Sequence, residues 1–436
     1  MPSSLKISLA NNAPPGTTVY AYITGLAIQH SSRRVFVKQD SSLYFPSNPS
    51  KILQPLEEDC TIVLSNDPKA PTVVTIPQIA GGRIWYSYDA PLTFLRNQGG
   101  PGGGAALVEP SVLNPTDPNN QVNFGFCEFT LDPAQLFANI SYVDFVSGIP
   151  AGLTLKERSG KVQHVSGMAE DGLDRVCQGL REQTKKDGWP WEKLIVMKKG
   201  SSQVLRVLSP THAGAAGVKF DGFFEPLVER AWRKYAHGLD GAHTNGHAPE
   251  AKEKDGKRHR LSAIFKGFKE ISHEQSQQSN GPKTGCEMHI DTQTPMGVLS
   301  GCIPKGKNEL IIGGEAFSKP TTADILCCNS GPFTTGPSPK RNAIIPRLAA
   351  AFQRSCIADI MHHPSPPETF YCCEPTNHYC RIVHECNLDG KGYAFAYDDV
   401  QPDSGADQSG KVNAGDPEEF IVSIGGRGAY VGDRMP

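Results

Sequence analysis

No apolar run in the 436 residues approaches the roughly 18 that a membrane-spanning helix needs, which excludes a helical span. Neither sign of charge dominates: 43 Lys and Arg stand against 45 Asp and Glu, a formal net charge of −2. A chain so balanced lacks the electrostatic grip that nucleic acid or an anionic membrane calls for. No internal repeat and no dinucleotide-binding glycine fingerprint is present. The Cys-x2-Cys pairing of structural zinc sites is missing as well. The N-terminal MPSSLKISLANN contains no apolar h-region of a signal peptide.

Glycine (44) and proline (35) exceed their average share of roughly 12% but stay below the roughly 25–30% of low-complexity chains. A hydrophobic fraction of 38%, with glycine left out, is ordinary for a folded protein and excludes a disordered one. Length points to two domains. Of the 12 cysteines, Cys60, Cys127 and Cys177 precede residue 285 and the rest crowd after it. Some disulfides are expected, without assignable pairs; buried free thiols are the alternative. His378 and His384 flank Cys380, which keeps a metal site open at this stage.

Residues 18–28, 34–38, 60–65, 72–77 and 83–88 are rich in Val, Ile, Thr and Tyr, and turn clusters such as NNAPPG separate them. Short strands at this spacing predict a sandwich or barrel. The glycine-rich 99–104 reads as a loop. The period then changes. Residues 169–186 and 223–235 carry apolar residues at spacings of three and four, with strand-like 193–197 and 203–208 between them. Residues 238–260 read as an exposed loop. One further helix is expected at 343–354, with Pro346 in its first turn, and strands at 393–397 and 419–424. The expected fold is mainly β with an α+β component. A β domain from both chain ends (1–165 and 318–436) surrounds a mixed α/β domain (166–317).

The stretch NFGFCEFTLDPAQLFANISYVDFVSG carries the chemistry. Alternation puts Phe124, Phe126, Glu128 and Thr130 on one strand face, and Ile140, Tyr142, Asp144 and Val146 on another. A strand carboxylate among aromatics is partly desolvated, which raises its pKa and suits it to acid/base work. Asp132-Pro133 is expected to cap one helical turn between the strands. Paired carboxylates with nearby hydroxyls and aromatics are the equipment of glycoside hydrolysis. Ordinary strand residues are the competing reading. Thr130, Asp132, Ser141 and Tyr142 are candidates for sugar hydroxyls. Asn139-Ile140-Ser141 forms a sequon, but inside the candidate site, so glycosylation is not expected. For Trp85, Tyr86 and Trp232, core packing is expected over sugar stacking.

FGFCEFTLDPAQLFANISYVDFVS, IPQIAGGRIWYS before it, and TTADILCCNSGPF, NAIIPRLAAAF and DGKGYAFAYDDV after it resemble glycoside hydrolase family 64. The resemblance runs in order from about Ser8 to Ile424. It implies a β-1,3-glucanase, endo-acting or processive, that releases laminarioligosaccharides by an inverting mechanism. It also implies a thaumatin-like β-barrel beside a mixed α/β domain, with a wide groove between them. Carried over by motif, Glu128 is implied as general acid and Asp144 as general base. Thr130, Asp132, Phe137 and Ser141 are implied as glucan contacts. Asp398 and Asp399 match an acidic element of thaumatin-like barrels, implied to line the same cleft; a capped turn after a strand is the alternative. Asp132 stands in place of Asn and Phe137 in place of Trp, which bears on subsite strength and product length. No metal and no cofactor is implied. The expected partners are β-1,3-glucan and its oligosaccharides, not nucleic acid or membrane. The protein is expected to be a monomer and to be secreted. A non-catalytic thaumatin-like glucan-binding protein is the alternative.

Overall fold

A computed structural model describes residues 3–67, 70–100, 104–236, 287–403, 405 and 407–426. Residues 238–260 of the expected loop, and part of 99–104, lie outside the described residues. The chain opens with β1 (Ser4–Asn11), β2 (Val19–Ala27), β3 (Arg33–Val37), β4 (Leu43–Tyr44), β5 (Gln54–Pro55), β6 (Ile62–Val63) and β7 (Thr72–Pro77). It continues with β8 (Ile79–Tyr88), β9 (Leu95–Asn97), β10 (Ala106–Val108), β11 (Phe124–Leu131) and β12 (Leu136–Ile140). Then follow β13 (Phe145–Ser147), β14 (Ala151–Glu157), β15 (Val162–Val165), α1 (Gly172–Asp187), β16 (Ile195–Met197), β17 (Val204–Leu208) and α2 (Glu225–Tyr235). The remainder comprises β18 (Met288–Asp291), β19 (Val298–Cys302), β20 (Leu310–Ile312), β21 (Glu315–Phe317), α3 (Thr322–Cys327) and α4 (Pro339–Gln353). The last elements are β22 (His362–His363), α5 (His378–Cys386), β23 (Lys411–Ala414) and β24 (Pro417–Ile424).

The architecture is mainly β, built from several sheets. An eight-stranded sheet runs β23-β12-β11-β8-β2-β3-β4, with β6 also paired to β2. A five-stranded sheet runs β15-β14-β24-β1-β7, in which the first and last described strands, β1 and β24, pair in parallel. The two sheets share one apolar core: Ile7 and Leu9 of β1 and Val422 of β24 join Ile23, Ile84, Phe129 and Ala138. The opposite face of the large sheet carries an aromatic cluster that includes Tyr22, Phe36, Trp85, Phe124 and Phe126. Trp85, Tyr86 and Trp232 are all buried, as expected of core residues.

Most elements lie where the sequence places them, and the departures have local causes. β8 begins at Ile79, earlier than expected, because glycines let it run through a bulge. Gly81 has φ +52°, and a Cβ on Gly82 would sit 2.5 Å from the Phe129 ring. α4 starts at Pro339 behind an Ser338 cap, so Pro346 lies inside the helix rather than in its first turn. α3 and α5 add two helices where one was expected; α5 packs its buried Tyr379, Cys380, Ile382 and Val383 inward. Residues 393–397 form no strand but a bridge and turn.

β22 pairs with β18, and β13 pairs with β17, so both cross the expected boundaries of the α/β region. The eleven described cysteines are all free, which corrects the expectation of disulfides for these residues. Seven of them are buried and behave as small apolar groups.

Candidate active site

β11 alternates as its sequence dictates. Cys127, Phe129 and Leu131 enter the shared core, whereas Glu128 and Thr130 on the other face are partly exposed. Register puts Glu128 opposite Arg83 of β8 and opposite Asn139 of β12. Directly opposed residues point to the same face, so Asn139, Glu128 and Arg83 form one row. In the next row Phe137 lies opposite Thr130, with Asn413 of β23 on its other side. Asp132 closes the hairpin with its side chain: Oδ1 accepts from the N–H groups of Ala134 (2.7 Å) and Gln135 (2.9 Å). The cap is there, but it holds a tight turn rather than the expected helical one.

Glu128 meets a cation on one oxygen only. Arg83 Nε and Nη2 donate to Oε1 at 3.3 and 3.2 Å, and among the described residues no group bonds Oε2. Burial pushes the Glu128 carboxyl above its ordinary value against the pull of Arg83, and the charges of Asp144 and Glu109 push the same way.

Asp144 reaches the site because the strand ends before it. β12 stops at Ile140, Ser141 bridges to Tyr393, and the Tyr142 N–H donates to the Tyr393 carbonyl at 2.7 Å. The strand therefore does not run through 140–146, and its expected alternation fails there. The Asp144 carbonyl accepts from Ser209 N–H at 2.9 Å. His212 Nε2 lies 2.8 Å from Asp144 Oδ1. That hydrogen bond holds the Asp144 carboxyl below its ordinary value; burial opposes it, and the charges of His212 and Arg83 assist. No hydrogen bond joins Glu128 to Asp144 among those described. The two carboxyls are thus shifted in opposite directions, Glu128 up and Asp144 down.

Two residues expected to bind substrate lie buried and bonded to neighbouring elements. Tyr142 is buried in the core and donates its hydroxyl to Asn387 Oδ1 at 2.9 Å. Asp398 is fully buried between Arg354 (3.0 Å) and His384 (3.0 Å), and accepts from the Ala394 N–H. Asp399 is partly exposed near Tyr393, whose hydroxyl donates to the Ala396 carbonyl at 3.2 Å and feels the charges of Asp399 and Glu128. Ser141 is partly exposed. Asn139 is 7% exposed and laddered on both sides, which leaves its sequon inaccessible in the folded chain.

Among the described residues no three metal-capable side chains cluster, and those flanking Cys380 have other partners. His378 bonds Glu374 at 3.0 Å, His384 bonds Asp398, and the Cys380 thiol donates to the Ala394 carbonyl. A cavity of about 350 Å³ between α1 and α5 shares no residue with the carboxylate site. In its wall Arg381 donates to Glu385 at 2.9 Å and to Gln183 at 3.2 Å.

His212, Arg83, Glu109 and Tyr393 went unrecognised in the sequence. Arg83 lay in an expected strand, but only register sets it beside Glu128. His212 sits at the kink of the 3-10 segment Pro210–Ala216, with φ −105° and ψ 17°. The Ser209-Pro210 start signal was its only trace in the sequence.

The sequence profile of the glycoside hydrolase 64 family, described as beta-1,3-glucanase, matches residues 3–246 and 284–424. A glucan endo-1,3-beta-glucosidase of Cellulosimicrobium cellulans is 24% identical over 360 residues, which cover 80% of this chain and 53% of that protein. A second, from Arthrobacter sp. (strain YCWD3), matches with the same identity and coverage. The chain thus spans about half the length of the curated relatives it matches. The crystal structure of a laminaripentaose-producing beta-1,3-glucanase in complex with laminaritetraose shares the fold, with TM-score 0.75 and 24% identity. That match covers 98% of this chain and 99% of the other. A beta-1,3-glucanase domain from Clostridium beijerinckii follows with TM-score 0.65 and 20% identity, over 97% and 98% of the two chains.

Proposed function

The chain belongs to the glycoside hydrolase 64 family of β-1,3-glucanases, and from that premise we propose that it hydrolyses β-1,3-glucan to laminarioligosaccharides. Glu128 acts as general acid. Because Arg83 donates to Oε1, the acid proton sits on Oε2 and passes from there to the glycosidic oxygen as the C–O bond breaks. Asp144 acts as general base: Oδ1 is held by His212, and the other oxygen takes a proton from the water that attacks the anomeric carbon. A single displacement of this kind inverts the anomeric configuration. Carboxylates supply both proton transfers, so neither step calls for a metal or organic cofactor.

Thr130 and Phe137, one row from Glu128, are proposed to contact the glucan together with Asp132, Ser141 and Asp399. We read the β sheets from the two chain ends as a thaumatin-like barrel, and the helical region as a unit inserted between them. The β18–β22 pairing and the packing of α5 on α1 support carrying that unit beyond residue 317. Action on a wall polymer supports a secreted protein.

One observation carries the catalytic reading: two carboxyls near each other are driven to opposite proton affinities, with no bond between them. Reducing-sugar release from insoluble β-1,3-glucan tests it. The protein is expected to release sugar and Glu128→Gln is not; binding without release by the unaltered protein would contradict hydrolysis.

A further inference from the structure

Arg83 is held from several sides. Its guanidinium lies 4.8 Å from the Phe126 ring centroid and 5.4 Å from that of Trp85. Nε and Nη2 face Glu128, while Nη1 is taken by Glu109 Oε2 at 2.8 Å. Glu109 directly follows β10, the edge of the three-stranded sheet β10-β9-β5, which is separate from the sheet of Arg83 and Glu128. Thr24 Oγ1 donates to Glu109 Oε1 at 3.5 Å and itself accepts from the Trp85 indole N–H at 3.2 Å. Glu109, with 22% of its side chain exposed, thus anchors the far end of the guanidinium that touches the proposed acid.

We infer that Glu109 is a positioning residue for the acid: by engaging Arg83 Nη1 it aims the guanidinium at Glu128 Oε1 and divides its charge between two carboxylates. This rests on the reading of Glu128 as general acid. An undivided Arg83 would strip the proton that Glu128 must deliver, because an adjacent cation favours the ionised carboxylate. The other groups acting on Glu128 are Asp144 from residues 141–144, Tyr393 after α5, and Cys127 behind it on β11. Lys411 on β23, two strands away, is occupied by Asp407 at 3.5 Å. The Arg83 charge also reaches Asp144, but among these groups Glu109 alone hydrogen-bonds the guanidinium that Glu128 accepts from.

The test compares Glu109→Gln and Glu109→Asp with the unaltered protein by two readouts. One is the pH dependence of kcat on a soluble β-1,3-glucan; the other is carbon NMR titration of the Glu128 carboxyl, assigned with Glu128→Gln. The protonated acid is the active form, so activity falls as pH rises through its pKa. Glu109→Gln is expected to move both the alkaline limb and the Glu128 titration to lower pH, by about half a unit or more. KM should change less than kcat. Glu109→Asp, which keeps the charge one methylene farther back, should fall between the two and carries the test alone if the Gln variant does not fold. An unmoved Glu128 titration in whichever variant folds would overturn the inference. A moved titration with near-full activity in Glu128→Gln would instead leave the Glu109 coupling standing and remove the acid assignment.

Discussion

His212 Nε2 lies 2.8 Å from Asp144 Oδ1, and this bond joins the end of the β11–β12 hairpin region to a kinked turn 68 residues farther along the chain. It orients the carboxylate and holds its pKa below the ordinary value, both of which suit the proposed role of a base that collects a proton from water.

Removing that donor has a predictable sign. Asp144 is held below its ordinary 3.8, so the base is ready above that value and fails as pH falls through its pKa. His212→Ala should raise the Asp144 pKa and move the acidic limb of the pH–rate profile upward, by about one unit. His212→Gln, which keeps a donor, should move it less. An acidic limb unchanged in both variants would separate His212 from the reaction.

The carboxylates themselves are tested by shape-preserving replacements. Glu128→Gln and Asp144→Asn should each lower kcat by about 10²-fold or more while glucan binding survives. Co-sedimentation with insoluble glucan measures binding, and reducing-sugar release measures turnover. Near-full activity in either variant would remove that residue from its role.

Asp398 should behave as a structural residue. Burial alone would raise its pKa, but His384 and Arg354 hold it below its ordinary 3.8. Its contribution to stability is therefore present above pH 3.8 and lost as pH falls through the lowered pKa. Asp398→Asn leaves the Arg354 charge buried without its counterion, which should cost about 3–5 kcal/mol in urea denaturation near neutrality. Unchanged stability with weakened glucan binding would return Asp398 to the substrate site.

The thiols give a test independent of catalysis. Titration under denaturing, non-reducing conditions should return at least the eleven thiols that are free in the structure. In the native protein Cys372 should react first, because it is exposed while most others are buried. A clearly lower denatured count would mean that bridges form.

Much of this site was legible because period-2 alternation survives in β11: Phe124, Phe126, Glu128 and Thr130 do share a face. The same rule failed two strands' length later. Pinning of residues 141 and 142 to Tyr393 interrupts the strand, so Tyr142 turns into the core while Asp144 stays partly exposed. Asp398 and Asp399 are adjacent in sequence, yet a turn buries one and leaves the other near Tyr393. Local pattern cannot distinguish them. Arg83, Glu109 and His212 reach the site through register and long-range packing, which no spacing rule encodes. Alternation singled out Glu128 and Asp144 and the family resemblance implied their roles, but neither revealed the groups that shift their proton affinities.

The central claim is a single displacement with Glu128 as acid and Asp144 as base, and the configuration of the first product tests it most directly. Proton NMR during the first minutes of hydrolysis, before mutarotation, reads the new reducing end. The account predicts the α-anomer first, because water activated by Asp144 attacks opposite the departing β-linked oxygen. A β-anomer appearing first would contradict it, and would make one of the two carboxylates a nucleophile.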